Sequence, residues 1–245
     1  MEHILSIKNL DYTYKTGRED VRALDALNLG ICRGEIFGFI GPNGAGKTTT
    51  IKLILNILPI QSGKIEILGE DSSKPKTRIK VGYMPESAVY SQYLTPHELL
   101  YMYGRIFGIQ RSLLKQRIPE LLALVGLEKE ASRLIGTFSK GMMQKVSFAQ
   151  SLINEPSVLI LDEPTSGLDP VLRKKMREII LSLRDAGKTI FFSSHELSEV
   201  ELISDKIGVL NKGRLLATGP IKNFMRNKDD GLSLENYFLN LIEEK

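Results

Sequence analysis

Tryptophan is absent from this sequence, cysteine occurs once and histidine three times. A single thiol, Cys32, cannot close an internal disulfide, so the fold rests on its core alone and a reducing, cytosolic setting suits it. His3, His97 and His195 are scattered and show no metal-ligand spacing. Long apolar runs are lacking as well. The longest, at 99–103 and 121–125, has five residues, against the roughly 20 of a membrane-spanning helix. The start, Met1-Glu2-His3-Ile4-Leu5, has neither the charged beginning nor the apolar stretch and cleavage site of a secretory signal. Nor does one sign of charge dominate: 33 Lys and Arg against 29 Asp and Glu leave +4. The densest basic groups, Lys74, Lys76, Arg78 and Lys80, and Arg173, Lys174, Lys175 and Arg177, carry no interleaved aromatics for base stacking. They read as solvated faces, and no direct contact with nucleic acid is expected.

What is there is ordinary globular material: 245 residues, 42% hydrophobic, 25% charged, with 21 glycines, enough for one large domain or two small ones. Short apolar runs bounded by Gly or Pro alternate with segments of helical period, the pattern of an α/β domain with a parallel sheet. Residues 3–8 and 23–31 read as an antiparallel N-terminal flap. Residues 35–40 read as a buried strand, and 49–58 as a helix ended by Pro59. From about 87 to 154 the text is mostly helical, an insertion in the α/β core whose first helix is announced by the capping box Thr95-Pro96-His97-Glu98. Strands are expected at 158–161, 189–193 and 206–210, and helices at about 170–185 and 196–203. A short helical tail over about 220–245 carries Leu234, Tyr237, Phe238, Leu241 and Ile242 on one face from Ser233 onward. All 245 residues are expected to form one domain.

The strand at 35–40 runs straight into Gly41-Pro42-Asn43-Gly44-Ala45-Gly46-Lys47-Thr48, the phosphate-binding spacing of two glycines followed by lysine and a hydroxyl. The glycines let successive N–H groups turn inward around an anion, and the helix that follows aims its positive end at the same point. Lys47 adds a point charge at the β and γ phosphates, and Thr48 is placed to ligate Mg²⁺. A second apolar strand, Val158-Leu159-Ile160-Leu161, delivers Asp162 to hold Mg²⁺ directly or through water, and Glu163 to polarise the attacking water. No Asn-Lys-x-Asp guanine-reading motif follows. His195, after the strand at 189–193, stands at the end of the sheet where ligands of open α/β folds collect. There, as imidazole or imidazolium, it can hydrogen-bond the γ-phosphate and hold the water with Glu163.

With these residues the chain resembles the nucleotide-binding subunits of ATP-binding cassette transporters, over nearly its whole length. Pro164-Thr165-Ser166-Gly167-Leu168-Asp169-Pro170 resembles the family's D-loop, and Ser193-Ser194-His195-Glu196 its histidine switch. Phe138-Ser139-Lys140-Gly141-Met142-Met143-Gln144 stands where the signature Leu-Ser-Gly-Gly-Gln is expected. The resemblance implies a P-loop NTPase core with ATP and Mg²⁺ as ligands. It implies nucleotide contacts from the P-loop residues through Thr49, from Asp169, and from Tyr14 stacked on adenine with Tyr12 as the substitute. Ser139 and Gly141 are expected to meet the γ-phosphate held by an opposite subunit in a head-to-tail dimer, of two copies or of this chain with a similar cassette. The residues themselves support that part: Ser139 reads as the cap of a helix whose Met142, Val146, Ala149 and Ile153 face a core, leaving free N–H groups at a positive end.

Two positions depart from the family's pattern. Lys140 replaces the first signature glycine, with Met142 in place of a small or polar residue beyond it, while Gly141 survives. Glu86 in Gly82-Tyr83-Met84-Pro85-Glu86 replaces the glutamine that touches Mg²⁺, an altered sensor rather than a second general base. The function implied is ATP hydrolysis that drives a separate membrane permease from the cytoplasmic face of the membrane. The permease's cytoplasmic helix is expected against residues 86–103. A single cassette with a short tail resembles bacterial exporter ATPases for drugs, antibiotic peptides, ions or polysaccharide. The competing class is a soluble cassette ATPase acting on ribosomes or nucleic acid, which usually has two fused cassettes or a coiled-coil insertion. A non-hydrolysing regulator would lack Lys47 or Glu163, and both are present.

Overall fold

The computed structural model describes residues 3–15, 17, 19–225 and 234–243. In chain order these form β1 (His3–Lys15), β2 (Asp20–Cys32), β3 (Ile36–Ile40), α1 (Lys47–Ile54), β4 (Ser62–Ile67), β5 (Glu70–Asp71), α2 (Pro75–Arg78) and β6 (Val81–Met84). There follow α3 (Pro96–Ile106), α4 (Arg111–Leu124), α5 (Lys140–Ser151), β7 (Val158–Asp162), α6 (Pro170–Asp185), β8 (Thr189–Ser194) and α7 (Leu197–Ile203). The last elements are β9 (Lys206–Asn211), β10 (Arg214–Pro220), α8 (Ile221–Phe224) and α9 (Leu234–Glu243). The chain divides into two compact units, Met1–Arg78 with Thr189–Lys245, and Ile79–Lys188.

In the first unit β1 pairs antiparallel with β2 and β4, and β4 with β5, in the order β2-β1-β4-β5. The flap is wider than the alternation over 3–8 and 23–31 predicts, because β1 and β2 each run 13 residues. Left-handed Asn9 (φ 46°) and Ala26 (φ 48°) sit where the register slips, so the two-residue period breaks before the strands end. The second sheet of this unit sets β10-β9-β3-β8, with β3 parallel to both neighbours and β10 antiparallel to β9. All five residues of β3 and all six of β8 are buried, and Phe191 stacks on Phe37 with ring centroids 6.1 Å apart. Two-sided burial of this kind explains why both strands read as unbroken apolar runs.

Helix α1 stops at Ile54, short of the expected 58, because Asn56 turns left-handed (φ 52°) and the N–H groups of Ile57 and Leu58 donate back to Lys52 O. The tail helix has the expected sidedness: Leu234 is fully buried with its N–H donated to Glu201 Oε1 (3.0 Å), and Tyr237 meets Phe224 edge-on. Ser233, where the tail motif begins, lies outside the described residues.

In the second unit β6 and β7 pair in parallel, with Met84 opposite Leu161, and every residue of β7 is buried. The capping box of α3 forms as read: Glu98 N–H donates to Thr95 Oγ1 (3.2 Å) and Thr95 N–H to Glu98 Oε2 (2.9 Å). Helix α6 begins at Pro170 with Asp169 as its cap, the carboxylate Oδ1 accepting from Val171 and Leu172 N–H. The α/β class and the antiparallel N-terminal sheet are as the sequence predicts, and the antiparallel β10 makes the expected parallel sheet a mixed one.

Candidate functional site

In the first unit β3 ends at Ile40 and the chain folds back through residues 41–46. Ala45 N–H donates to Pro42 O (3.1 Å), and Ala45 O accepts from Gly213 N–H (2.9 Å). Gly46 has φ 110°, and a Cβ there would lie 2.6 Å from Ala23 O, so only glycine can make this entry into α1. No side chain caps α1 and no acidic residue stands in its first turn. The result is a loop of glycines opening on a helix end whose first N–H groups have no partner in the helix, the physical form of an anion site. Lys47 is only 7% exposed, and its ammonium lies over the loop, donating to Gly41 O (2.7 Å) and Pro42 O (3.3 Å).

Tyr14 is held beside this helix, its hydroxyl 3.3 Å from Thr49 Oγ1 and its ring edge-on to Tyr12 at 4.9 Å. Tyr12 is buried, which leaves Tyr14 as the tyrosine with an accessible ring. His195 is exposed and follows Ser194, which pairs with Ile40 across the parallel β3 and β8. It therefore leaves the sheet level with Gly41.

The second unit gathers the acidic residues. The pairing of Met84 with Leu161 carries Asp162 level with Pro85 and Glu163 level with Glu86 at the carboxyl ends of β6 and β7. Asp162 is 2% and Glu163 8% exposed. The Tyr83 phenol on β6 is pushed up to about 12 by burial first and then by the charges of Asp162 and Glu86. Glu163 itself is left-handed (φ 52°), strain that an L-residue carries only where its surroundings impose it. The buried carboxylate of Asp162 at the end of β7 is a hard oxygen donor, suited to a divalent cation. That donor set fits Mg²⁺, which takes one or two carboxylates and leaves its other positions to phosphate and water.

Ser139 caps α5 as the sequence predicts, accepting from Met142 N–H (3.3 Å), and no acidic residue stands in the first turn. Val146, Ala149 and Ile153 are buried, with Met142 half-buried. A cleft of about 310 Å³ separates the start of α5 from residues 85–88, so Glu86 and Ser139 face one space. Gln144, the last residue of the signature segment, has a role that the motif does not announce. It holds the turn after Glu163, donating Nε2–H to Ser166 O (2.9 Å). Contacts of this kind, between residues distant in sequence, leave no periodic trace.

Among the predicted residues, the P-loop, Tyr14, Thr49 and His195 belong to the first unit, and Glu86, Ser139, Gly141, Asp162, Glu163 and Asp169 to the second. The ABC transporter family profile matches residues 24–166. The bacitracin transport ATP-binding protein BcrA of Bacillus licheniformis is 42% identical over 223 residues, spanning 90% of this chain and 71% of that one. Among solved structures, the ATP-binding subunit of an ABC transporter superposes with a TM-score of 0.86 at 32% identity, covering 97% and 99% of the two chains. The dimeric, post-hydrolysis ATP-binding cassette MJ0796 with ADP and Pi gives 0.82 at 25%, covering 89% and 98%. The chain belongs to the ABC transporter family, as an ATP-binding subunit with ATPase activity.

Proposed function

We propose that this subunit closes head to tail on a second cassette, with ATP between the P-loop of one copy and the Ser139 end of the other, and that the motion drives a membrane permease outward. The observation that carries this reading is that each unit presents a helix start suited to an anion. Helix α1 opens on the glycine loop, α5 opens on Ser139 and Gly141, and neither has an acidic residue in its first turn. The dimeric neighbour with ADP and Pi supports the pairing, and a relative named as a Nod factor export ATP-binding protein, 37% identical over 218 residues, supports export. Among the described residues no helix is long and apolar enough to cross a membrane. A permease is the partner that supplies the crossing, from the cytoplasmic face. Val89 and Tyr93, both strongly exposed, give residues 86–103 an apolar surface for its cytoplasmic helix.

In this reading Glu163 takes a proton from water as its oxygen attacks the γ-phosphorus in line, and ADP leaves with the bridging oxygen. Lys47 and the N–H groups of residues 43–49 hold the phosphate oxygens, and His195 hydrogen-bonds the γ-phosphate. Thr48 and Asp162 would hold Mg²⁺, with Glu86 as the altered sensor beside it, and the bound ion would supply charge neutralisation to the phosphates. Asp169, whose Oδ1 is committed to the α6 cap, sets the end of the turn that faces the partner's nucleotide.

Two substitutions separate the parts. Tyr14→Ala is expected to raise the Kd for ATP about tenfold through lost base stacking, worth roughly 1–3 kcal/mol, while Tyr14→Phe stays within about twofold. Equilibrium dialysis reads both. Ser139→Arg is expected to abolish hydrolysis while leaving ATP binding to the isolated subunit intact, because the arginine fills the space owed to the opposite phosphate. Capture of the tagged protein from detergent-solubilised membranes tests the partner. A multi-spanning protein in stoichiometric amount is expected; ribosomes or DNA in its place would move the function to the soluble class of cassette ATPases.

A further inference from the structure

Lys140 and Gln144 stand four residues apart on α5, on one face, and both lie against the turn at 163–169. Gln144 grips the turn by its backbone, through Ser166 O. Lys140 covers it: a Cβ added at Gly167 would overlap the Lys140 ammonium and stand 3.1 Å from its Cε. Gly167 is left-handed (φ 70°), so the side chain crosses bare backbone at the tip of the turn. Between the two, Gly141 is pressed flat on the next helix, where a Cβ would come within 2.9 Å of Leu172 Cδ1. The turn is short and internally bonded, Ser166 N–H to Glu163 O (3.1 Å) and Leu168 N–H to Thr165 O (3.3 Å). A shift at 166–167 therefore passes through one hydrogen bond to the strained backbone of Glu163.

We propose that Lys140 is a positioning residue: the end of its side chain, ammonium foremost, lies on Gly167 and holds it against the start of α5, so that the turn, and with it the Glu163 carboxylate, is fixed to the helix end that meets phosphate. A lysine here is the chain's departure from the signature glycine, and a glycine at 140 has no side chain to reach the turn. The ammonium and the Cε beside it do the covering, over a backbone that has no side chain of its own. This rests on the reading of Glu163 as the base that activates water.

The test uses the full chain with Lys140→Gly, Lys140→Arg and Gly167→Ala. Lys140→Gly is expected to lower kcat about fivefold with KM for ATP moved less than about twofold, and Lys140→Arg, with a stem of similar reach, to keep more than about half of kcat. In nucleotide-free protein, amide exchange at Ser166 and Leu168 is expected to speed up in Lys140→Gly and not in Lys140→Arg. Gly167→Ala, which displaces the lysine, is expected to cost less in the Lys140→Gly background than in the unmutated one. Unchanged exchange, an unchanged kcat, or additive effects of the two substitutions would each overturn the proposal. Failure of the base reading shows separately, as normal turnover in a Glu163→Gln variant that leaves Lys140 in place.

Discussion

Glu163→Gln binds ATP as tightly as the unmutated protein and hydrolyses it about 10²- to 10⁴-fold more slowly, the range lost when a positioned general base is removed. The amide has the shape of the carboxylate, so the left-handed turn that starts at this residue and its bond to Ser166 N–H persist. What disappears is the ability to accept the water's proton. The same change removes a negative charge from a carboxylate only 8% exposed, so ATP is held without being consumed. The variant is expected to run as a dimer on a sizing column with ATP and Mg²⁺ and as a monomer without them. A monomer with normal turnover would remove Glu163 from its role.

The second large effect lies at the opposite end of the same reaction. Lys47→Ala is expected to weaken ATP binding at least about 100-fold by equilibrium dialysis, since charge-assisted bonds to phosphate are worth roughly 1.5–3 kcal/mol each. The lysine is buried and pre-aimed by the carbonyls of Gly41 and Pro42, 2.7 and 3.3 Å from its ammonium. Little reorganisation is needed when phosphate arrives. Its loss also leaves those carbonyls without the donor, so the nucleotide-free protein is expected to lose about 1–3 kcal/mol of stability, read as a lower denaturant midpoint. Unchanged ATP affinity in Lys47→Ala would end the P-loop assignment.

The parts legible in the sequence are those written by one contiguous stretch of chain. The buried strand into Gly41-Pro42-Asn43-Gly44-Ala45-Gly46, the strand ending at Asp162 and the capping box at Thr95 each carry their own periodicity and punctuation. Strands β4 and β10 do not: β4 puts only Ile65 and Ile67 among buried residues, and β10 has no residue fully buried. The ranking of Tyr14 ahead of Tyr12 comes from the resemblance and not from the strand's period, because two residues apart on a strand they share a face. Burial of Tyr12 and the bond from Tyr14 to Thr49 separate them. Helix α1 ends four residues before the predicted 58 because the left-handed turn at Asn56 sits within an otherwise apolar run, Ile54, Leu55, Ile57 and Leu58. The hold of Gln144 and Lys140 on the turn at 166–167 was invisible for another reason. It joins residues more than 20 positions apart, and neither the helix period nor the glycine of the turn points to the other.

The central claim, that each ATP is completed by a second cassette, is tested most directly by mixing two inactive variants. Lys47→Ala lacks a working P-loop, and Ser139→Arg lacks a working signature end. In a head-to-tail hybrid one site carries both defects and the other carries neither. With random pairing, half of the dimers are hybrids with one intact site of two, so the mixture is expected to recover about a quarter of the unmutated ATPase rate. Each protein alone stays inactive. If the mixture also stays inactive while hybrids are seen to form, the Ser139 end does not serve the partner's ATP, and the account is contradicted at its centre.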